Sequence, residues 1–219
     1  MLRSRFVAAA LALLGSTLAQ ASVLTLSNTT AITIPASGTA GASTPYPTAI
    51  TVSASQTVQN VSVTLRNLSH TFSDDLDIML VGPNGQAVML MSDAGGGSTL
   101  NGVTLTFDDG ASALLQDSVV PVSGSYKPGN FAGSNDSFPA PAPSSAGTSL
   151  SVYNGLSAAG DWLLYIYDDV SGDVGTLAGG WSLSLTLADE QGGNVPEPAS
   201  LALVALGLLG AAGAARRRR

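Results

Sequence analysis

Along most of the chain, hydrophobic residues come in short runs that alternate with polar ones or sit between turn-forming clusters. No stretch of useful length carries a helical period, apart from the two ends. The runs predict strands at 23–26, 31–34, 48–52, 58–67, 76–81, 87–91, 103–107, 162–167 and 181–187. In 58–67, Val61, Val63 and Leu65 share one face and Ser62, Thr64 and Arg66 the other. In 181–187, Trp181, Leu183, Leu185 and Leu187 alternate with Ser182, Ser184 and Thr186 in the same way. The run 162–167 is apolar on both faces, as expected for a strand central to its sheet. Gly82-Pro83-Asn84-Gly85 separates two of the runs and reads as a hairpin turn: proline presets φ and Asn-Gly accepts positive φ. A long Pro/Gly/Ser-rich connection spans 117–149. Many short strands with polar turns predict an all-β sandwich or barrel.

The two ends follow different rules. Arg3 and Arg5 flank an apolar run at 6–14, and Ala19-Gln20-Ala21 supplies small residues at the spacing a signal peptidase needs. This predicts a signal peptide over 1–21, cleaved after Ala21. At the other end, a linker at 188–194 leads to Val195-Pro196-Glu197-Pro198. An uncharged apolar run at 199–215 and four arginines at 216–219 follow. That run is at the short end of what crosses a bilayer, and the arginines would hold its end in the cytoplasm. Between the ends lies one β domain, with N-terminal strands in 22–52 and the main sandwich in 53–187.

Removing the ends changes the charge picture. Fourteen of the fifteen acidic residues remain, against only Arg66 and Lys127, for a net charge of about −12. Such a body is unsuited to neutralising phosphates, which excludes ordinary nucleic-acid binding. With no cysteine, thiol catalysis and Cys-based metal sites are excluded. His70 is the single histidine, so a Ser-His-Asp triad would have to use it, and no Gly-x-Ser-x-Gly elbow occurs. The expectation is therefore a protein that is not an enzyme.

The acidic residues sit at strand ends and turns. Asp75 and Asp77 are two apart, which on a strand would put them on one face. Asp168, Asp169 and Asp173 flank a glycine-containing turn, and Asp108 and Asp109 end another strand. Calcium takes six to eight oxygens, largely from carboxylates and loop carbonyls. Asp75, Asp77, Asp168 and Asp173 are the candidate Ca²⁺ ligands, against the alternative that Asp and Gly serve only as turn formers. Trp162 and Trp181 read as core, whereas Tyr126, Phe131 and Tyr153 are the aromatic candidates for a carbohydrate platform.

Two resemblances add to this. Val195-Pro196-Glu197-Pro198, the apolar run and the terminal arginines resemble the PEP-CTERM sorting signal of Gram-negative bacteria. The resemblance implies recognition and cleavage by an exosortase-type enzyme near the motif formed by Pro196, Glu197 and Pro198. It also implies a route through the inner membrane to the cell surface or an exopolysaccharide matrix. The second set of stretches runs from His70-Thr71-Phe72-Ser73-Asp74-Asp75-Leu76-Asp77-Ile78 through Gly82-Pro83-Asn84-Gly85 and Gly160-Asp161-Trp162-Leu163-Leu164. It continues with Asp168-Asp169-Val170-Ser171-Gly172-Asp173-Val174-Gly175-Thr176-Leu177 and closes on Trp181-Ser182-Leu183. Together they resemble the P domain (Homo B domain) of subtilisin-like proprotein convertases, over about 53–187. This resemblance implies a jelly-roll-like β-sandwich that supports a catalyst without being one. The functional expectation is a non-catalytic surface or matrix module for binding, adhesion or architecture. The alternative is a support module for a separately encoded secreted protease.

Overall fold

The computed structural model describes residues 21–35, 38–131, 137–143 and 147–189. The expected signal segment up to residue 20 and the sorting segment with Pro196, Glu197 and Pro198 lie outside the described residues; Ala21 is the exposed residue just before the first strand. In chain order the strands are β1 (Ser22–Asn28), β2 (Ile32–Ile34), β3 (Gly41–Ala42), β4 (Thr48–Val52) and β5 (Val58–His70). They continue with β6 (Leu76–Val81), β7 (Ala87–Ser92), β8 (Leu100–Asp108), β9 (Ala113–Leu114) and β10 (Gly124–Lys127). The last are β11 (Gly129–Asn130), β12 (Gly160–Asp168), β13 (Gly175–Leu177) and β14 (Trp181–Leu187).

These strands form two sheets, the all-β sandwich expected. One runs β1-β14-β5-β8-β10-β9, with β13 and β2 continuing beside the far half of β5. The other runs β11-β7-β6-β12-β3, with β4 also on β12. All nine predicted strands form. The five the sequence pattern passed over, β3, β9, β10, β11 and β13, have two to four residues each in Gly-, Ser- or Ala-rich stretches too short to show a period.

β5 is longer than predicted, and the reason is local. Asn67 takes φ 57°, and the pairing with β8 shifts register between Leu65 and Leu68. The bulge bends the strand, so its first half pairs with β14 and its second half with β13. The second half carries His70 to the end of the sandwich.

The main core lies between the sheets. β12 turns Trp162, Leu164 and Ile166 inward against Val63, Leu65, Leu183 and Trp181 of the facing sheet. Both indoles are fully buried with their N–H groups satisfied: Trp162 donates to Ala158 O (3.0 Å) and Trp181 to Thr48 Oγ1 (3.4 Å). A second, smaller core covers the outer face of β6, β7 and β12: Met79, Val81, Ala87, Met89 and Tyr165, packed by Tyr46, Phe138 and Ala142. The Pro-rich connection is thus a cover for a sheet face. Tyr46 stands edge-on to Tyr165 at 5.0 Å and donates its hydroxyl to Pro139 O at 2.9 Å. This is why β12 is apolar on both sides.

The β6–β7 hairpin uses the Gly82-Pro83-Asn84-Gly85 turn as expected, with Gly85 N–H on Gly82 O at 2.9 Å and Gly85 at φ 80°. Gly82 itself is required by Tyr153, since a Cβ there would stand 2.6 Å from the Tyr153 ring. That contact corrects one expectation. Tyr153 is not a surface platform; it is 1% exposed, stacks edge-on to Trp162 at 4.9 Å and bonds Leu80 O at 2.9 Å. Tyr126 and Phe131 are likewise packed against the core, and the Tyr126 hydroxyl is bound to Val122 O at 2.9 Å. Loop residues in a sandwich of this size are recruited to fill its open ends, which removes Tyr153 as a platform candidate and leaves Tyr126 and Phe131 half-buried.

Candidate functional site

The only described histidine sits at the end of β5, where the chain has just passed the bulge. Its ring is 1% exposed. Nδ1 donates to Phe72 O at 2.6 Å, and Nε2 faces Asp168 Oδ2 at 3.3 Å. Asp168 ends β12 and is fully buried, with its other oxygen accepting the Val170 N–H at 3.2 Å. The pair therefore ties the end of one sheet to the end of the other. Gly175 makes room for it, because a Cβ on that residue would overlap the His70 ring.

Two more carboxylates converge here. Asp75 closes a short 3-10 turn, Ser73–Asp75, and its carbonyl accepts the Asp169 N–H at 3.1 Å. Its side chain is 6% exposed and hydrogen-bonds Asp173, which in turn accepts the Thr71 hydroxyl at 2.6 Å. Burial pushes the Asp75 carboxyl up from 3.8 to about 7, and the negative charges of Asp168, Asp173 and Asp169 push the same way. Asp168 is also raised by burial, while His70 and the Val170 N–H pull it back down.

Of the four candidate ligands, the structure brings together Asp75, Asp168 and Asp173 and sets Asp77 apart. Asp75 is in the turn and not on a strand, so the two-residue spacing does not align it with Asp77. In the β6–β12 pairing, Leu76 stands opposite Asp168 and Asp77 opposite Tyr167. Directly paired residues share a face, so Asp168 points inward with Leu76 while Asp77 points outward with Tyr167. Asp77 is 2% exposed there, on the face covered by the Pro-rich connection, where Phe138 lies 6.1 Å from Tyr167. Among the described residues, no group of three or more His, Asp or Glu side chains is arranged to hold a metal ion.

Asp108 and Asp109 are turn and cap residues. Asp108 accepts the Gly110 N–H at 2.7 Å, and Asp109 accepts the Leu150 and Ser151 N–H groups at 3.0 and 2.8 Å. A second acidic group escaped the sequence reading: Asp74 is raised by burial and by the charges of Asp93 and Asp117. The only signal for it was the Gly95-Gly96-Gly97 turn, which folds over Asp74 and supplies the Gly96 N–H.

Residues 194–219 match the PEP-CTERM protein-sorting motif. The protein is therefore exported and passes through a membrane-anchored intermediate, where an exosortase-type enzyme processes it, as in Gram-negative bacteria. No curated protein matches the chain. Among solved structures, the sandwich is similar to a chain in the complex of the Aeromonas sobria serine protease with a chaperone, at 18% identity and a TM-score of 0.44. The match covers 80% of this chain and 28% of that one. The serine protease of Aeromonas sobria solved alone gives 16% identity, a TM-score of 0.39 and the same coverage. The chain thus spans less than a third of the length of these structures.

Proposed function

We propose that this is a non-catalytic, P-domain-like module displayed at the cell surface or in the extracellular matrix, where it binds or builds. The observation that carries the reading is the state of His70. The residue that any histidine-based hydrolysis would need is buried and committed through both ring nitrogens to Phe72 O and Asp168. It works as a tie between strand ends. The sorting motif supports the reading, because it marks an exported product. The stretches that resemble a P domain also fall at structural positions: the tie itself, the β6–β7 turn, the buried Trp162 and Trp181, and the Asp168–Gly175 turn.

Calcium enters this reading as a weak ligand of the Asp75, Asp168 and Asp173 end, with Asp77 excluded. The three carboxylates are engaged with each other, with Thr71 and with His70, so no preformed cage stands ready. Affinity belongs in the range of about 10⁻⁴–10⁻³ M found for extracellular modules. The partners in this reading are the polymers of the surface matrix.

The test is to express the full chain in an exosortase-containing host, beside Glu197→Ala, and to follow both product location and activity. The wild type should reach the surface or extracellular fraction, with the variant retained in the inner membrane. The purified wild type should leave casein intact. Proteolysis that co-purifies with the protein would overturn the non-catalytic reading. Retention of a secreted subtilisin-like protease on the immobilised protein, with none of the matrix polysaccharide, would replace it with the support role.

A further inference from the structure

The geometry points to β1 as a seam along which two copies of this chain pair. The other strands at the sheet margins are short: β9, β11 and β3 have two residues each, β2 three and β4 five. β1 has seven, and it pairs with β14 over all seven without a register shift. Among the described residues, no strand pairs with its other side. Margin strands of soluble domains are ordinarily blunted by charge, proline or a bulge. Ser22-Val23-Leu24-Thr25-Leu26-Ser27-Asn28 has none of these.

The occupant is a second copy because the strand is complementary to itself. A two-fold axis through Thr25 would set Leu24 opposite Leu26, Val23 opposite Ser27, and Thr25 opposite its own equivalent. Leu24 and Leu26 face the core and are only partly buried, left half-covered at the sheet margin. In the paired register each covers the other, continuing the inner apolar layer across the seam. Val23, 68% exposed on the opposite face, gains a neighbour as well. The strand is also held ready: Asn28 Nδ2 donates to Thr48 Oγ1 at 3.0 Å and to Ala49 O at 2.9 Å, fixing the end of β1 to the other sheet.

Charge selects the same orientation. A body this acidic repels its copies, and β1 offers a stretch with no charge at all. Ser22 pairs with Leu187, so Asp189 and the exit of the sorting tail lie at the Ser22 corner. Antiparallel pairing puts the two corners at opposite ends of the seam, roughly 20 Å apart at about 3.4 Å per residue. Parallel pairing would bring the two Asp189 side chains together.

The test uses the processed protein recovered from an exporting host. Sedimentation velocity at micromolar concentrations should show a dimer, and Thr25→Lys should raise its dissociation constant at least tenfold through like charges meeting at the axis. The chain has no cysteine, so single thiols report the register. Thr25→Cys should close a disulfide between copies under mild oxidation. Val23→Cys alone should not, since its equivalents stand about 14 Å apart in this register, beyond disulfide reach. A mixture of Val23→Cys and Ser27→Cys should cross-link. A monomer at all concentrations overturns the inference, and so does a dimer whose Thr25→Cys thiols stay reduced.

Discussion

Asp77 and Asp168 lie one register step apart on neighbouring strands, and they meet opposite fates. Asp168 points into the space between the sheets, where His70 faces it and Val170 N–H caps it. Asp77 points to the outer face, under the cover made by the Pro-rich connection. Both are nearly inaccessible to water. The difference is set by pleat parity: a step of one residue reverses the side-chain direction. It teaches that acidic residues close in sequence and on paired strands need not form one site. It also shows that the smaller sheet is a two-sided element, with a packed core on one face and a loop-built one on the other.

The sharpest way to break the comparison is to remove the partner from only one side. His70→Ala leaves Asp168 buried without its counter-group, and the loss of stability in denaturant unfolding should be about 3–5 kcal/mol. Asp77→Asn, which keeps size and removes charge, should change far less. A loss for Asp77→Asn equal to that of His70→Ala would show that the outer face holds a charge pair of the same weight.

Next in size is the contrast between the faces of β12 themselves. Leu164 is 1% exposed between the sheets, while Leu163 is only partly buried on the outer face. Leu164→Ala should cost about 2–5 kcal/mol and Leu163→Ala about 1 kcal/mol in the same experiment. Equal costs would mean the loop-built core is as tightly packed as the inner one.

The acidic end predicts a pH dependence of definite sign. Asp75 holds its proton more tightly in the folded protein than the usual 3.8 allows, so its contribution is fully present below about pH 4 and is lost as pH rises through about 7. Asp168 and Asp74 are shifted in the same direction. The thermal midpoint should fall between pH 5 and pH 8, and Asp75→Asn should flatten that fall. A midpoint that rises over this range would show that the cluster is ionised and compensated.

The smallest effect concerns calcium. At pH 8, several millimolar Ca²⁺ against EDTA should raise the midpoint by a degree or two, the shift expected when ligand exceeds its dissociation constant only a few-fold. Asp173→Asn should abolish the rise and Asp77→Asn should leave it. No rise in the wild type removes calcium from the account.

What the sequence by itself determined was whatever depends on local pattern. The alternation in 58–67 and 181–187 announced two strands and their buried faces, and the two-sided apolar run at 162–167 announced a central strand. The proline-glycine turn at 82–85 announced a hairpin. The sorting tail was legible because its signal is linear: a short motif, an apolar run and a basic end that an enzyme reads in order. Tertiary structure alone decided which side chains meet. It moved Asp75 off the strand, separated Asp77 from Asp168, and sank Tyr153 into the core beside Gly82. It also gave His70 its partner 98 residues away. Period and turn chemistry act over a few residues and are written in the sequence. Register between distant strands, the bulge at Asn67 and the packing of a loop over a sheet are settled only when the whole chain competes for the same buried volume.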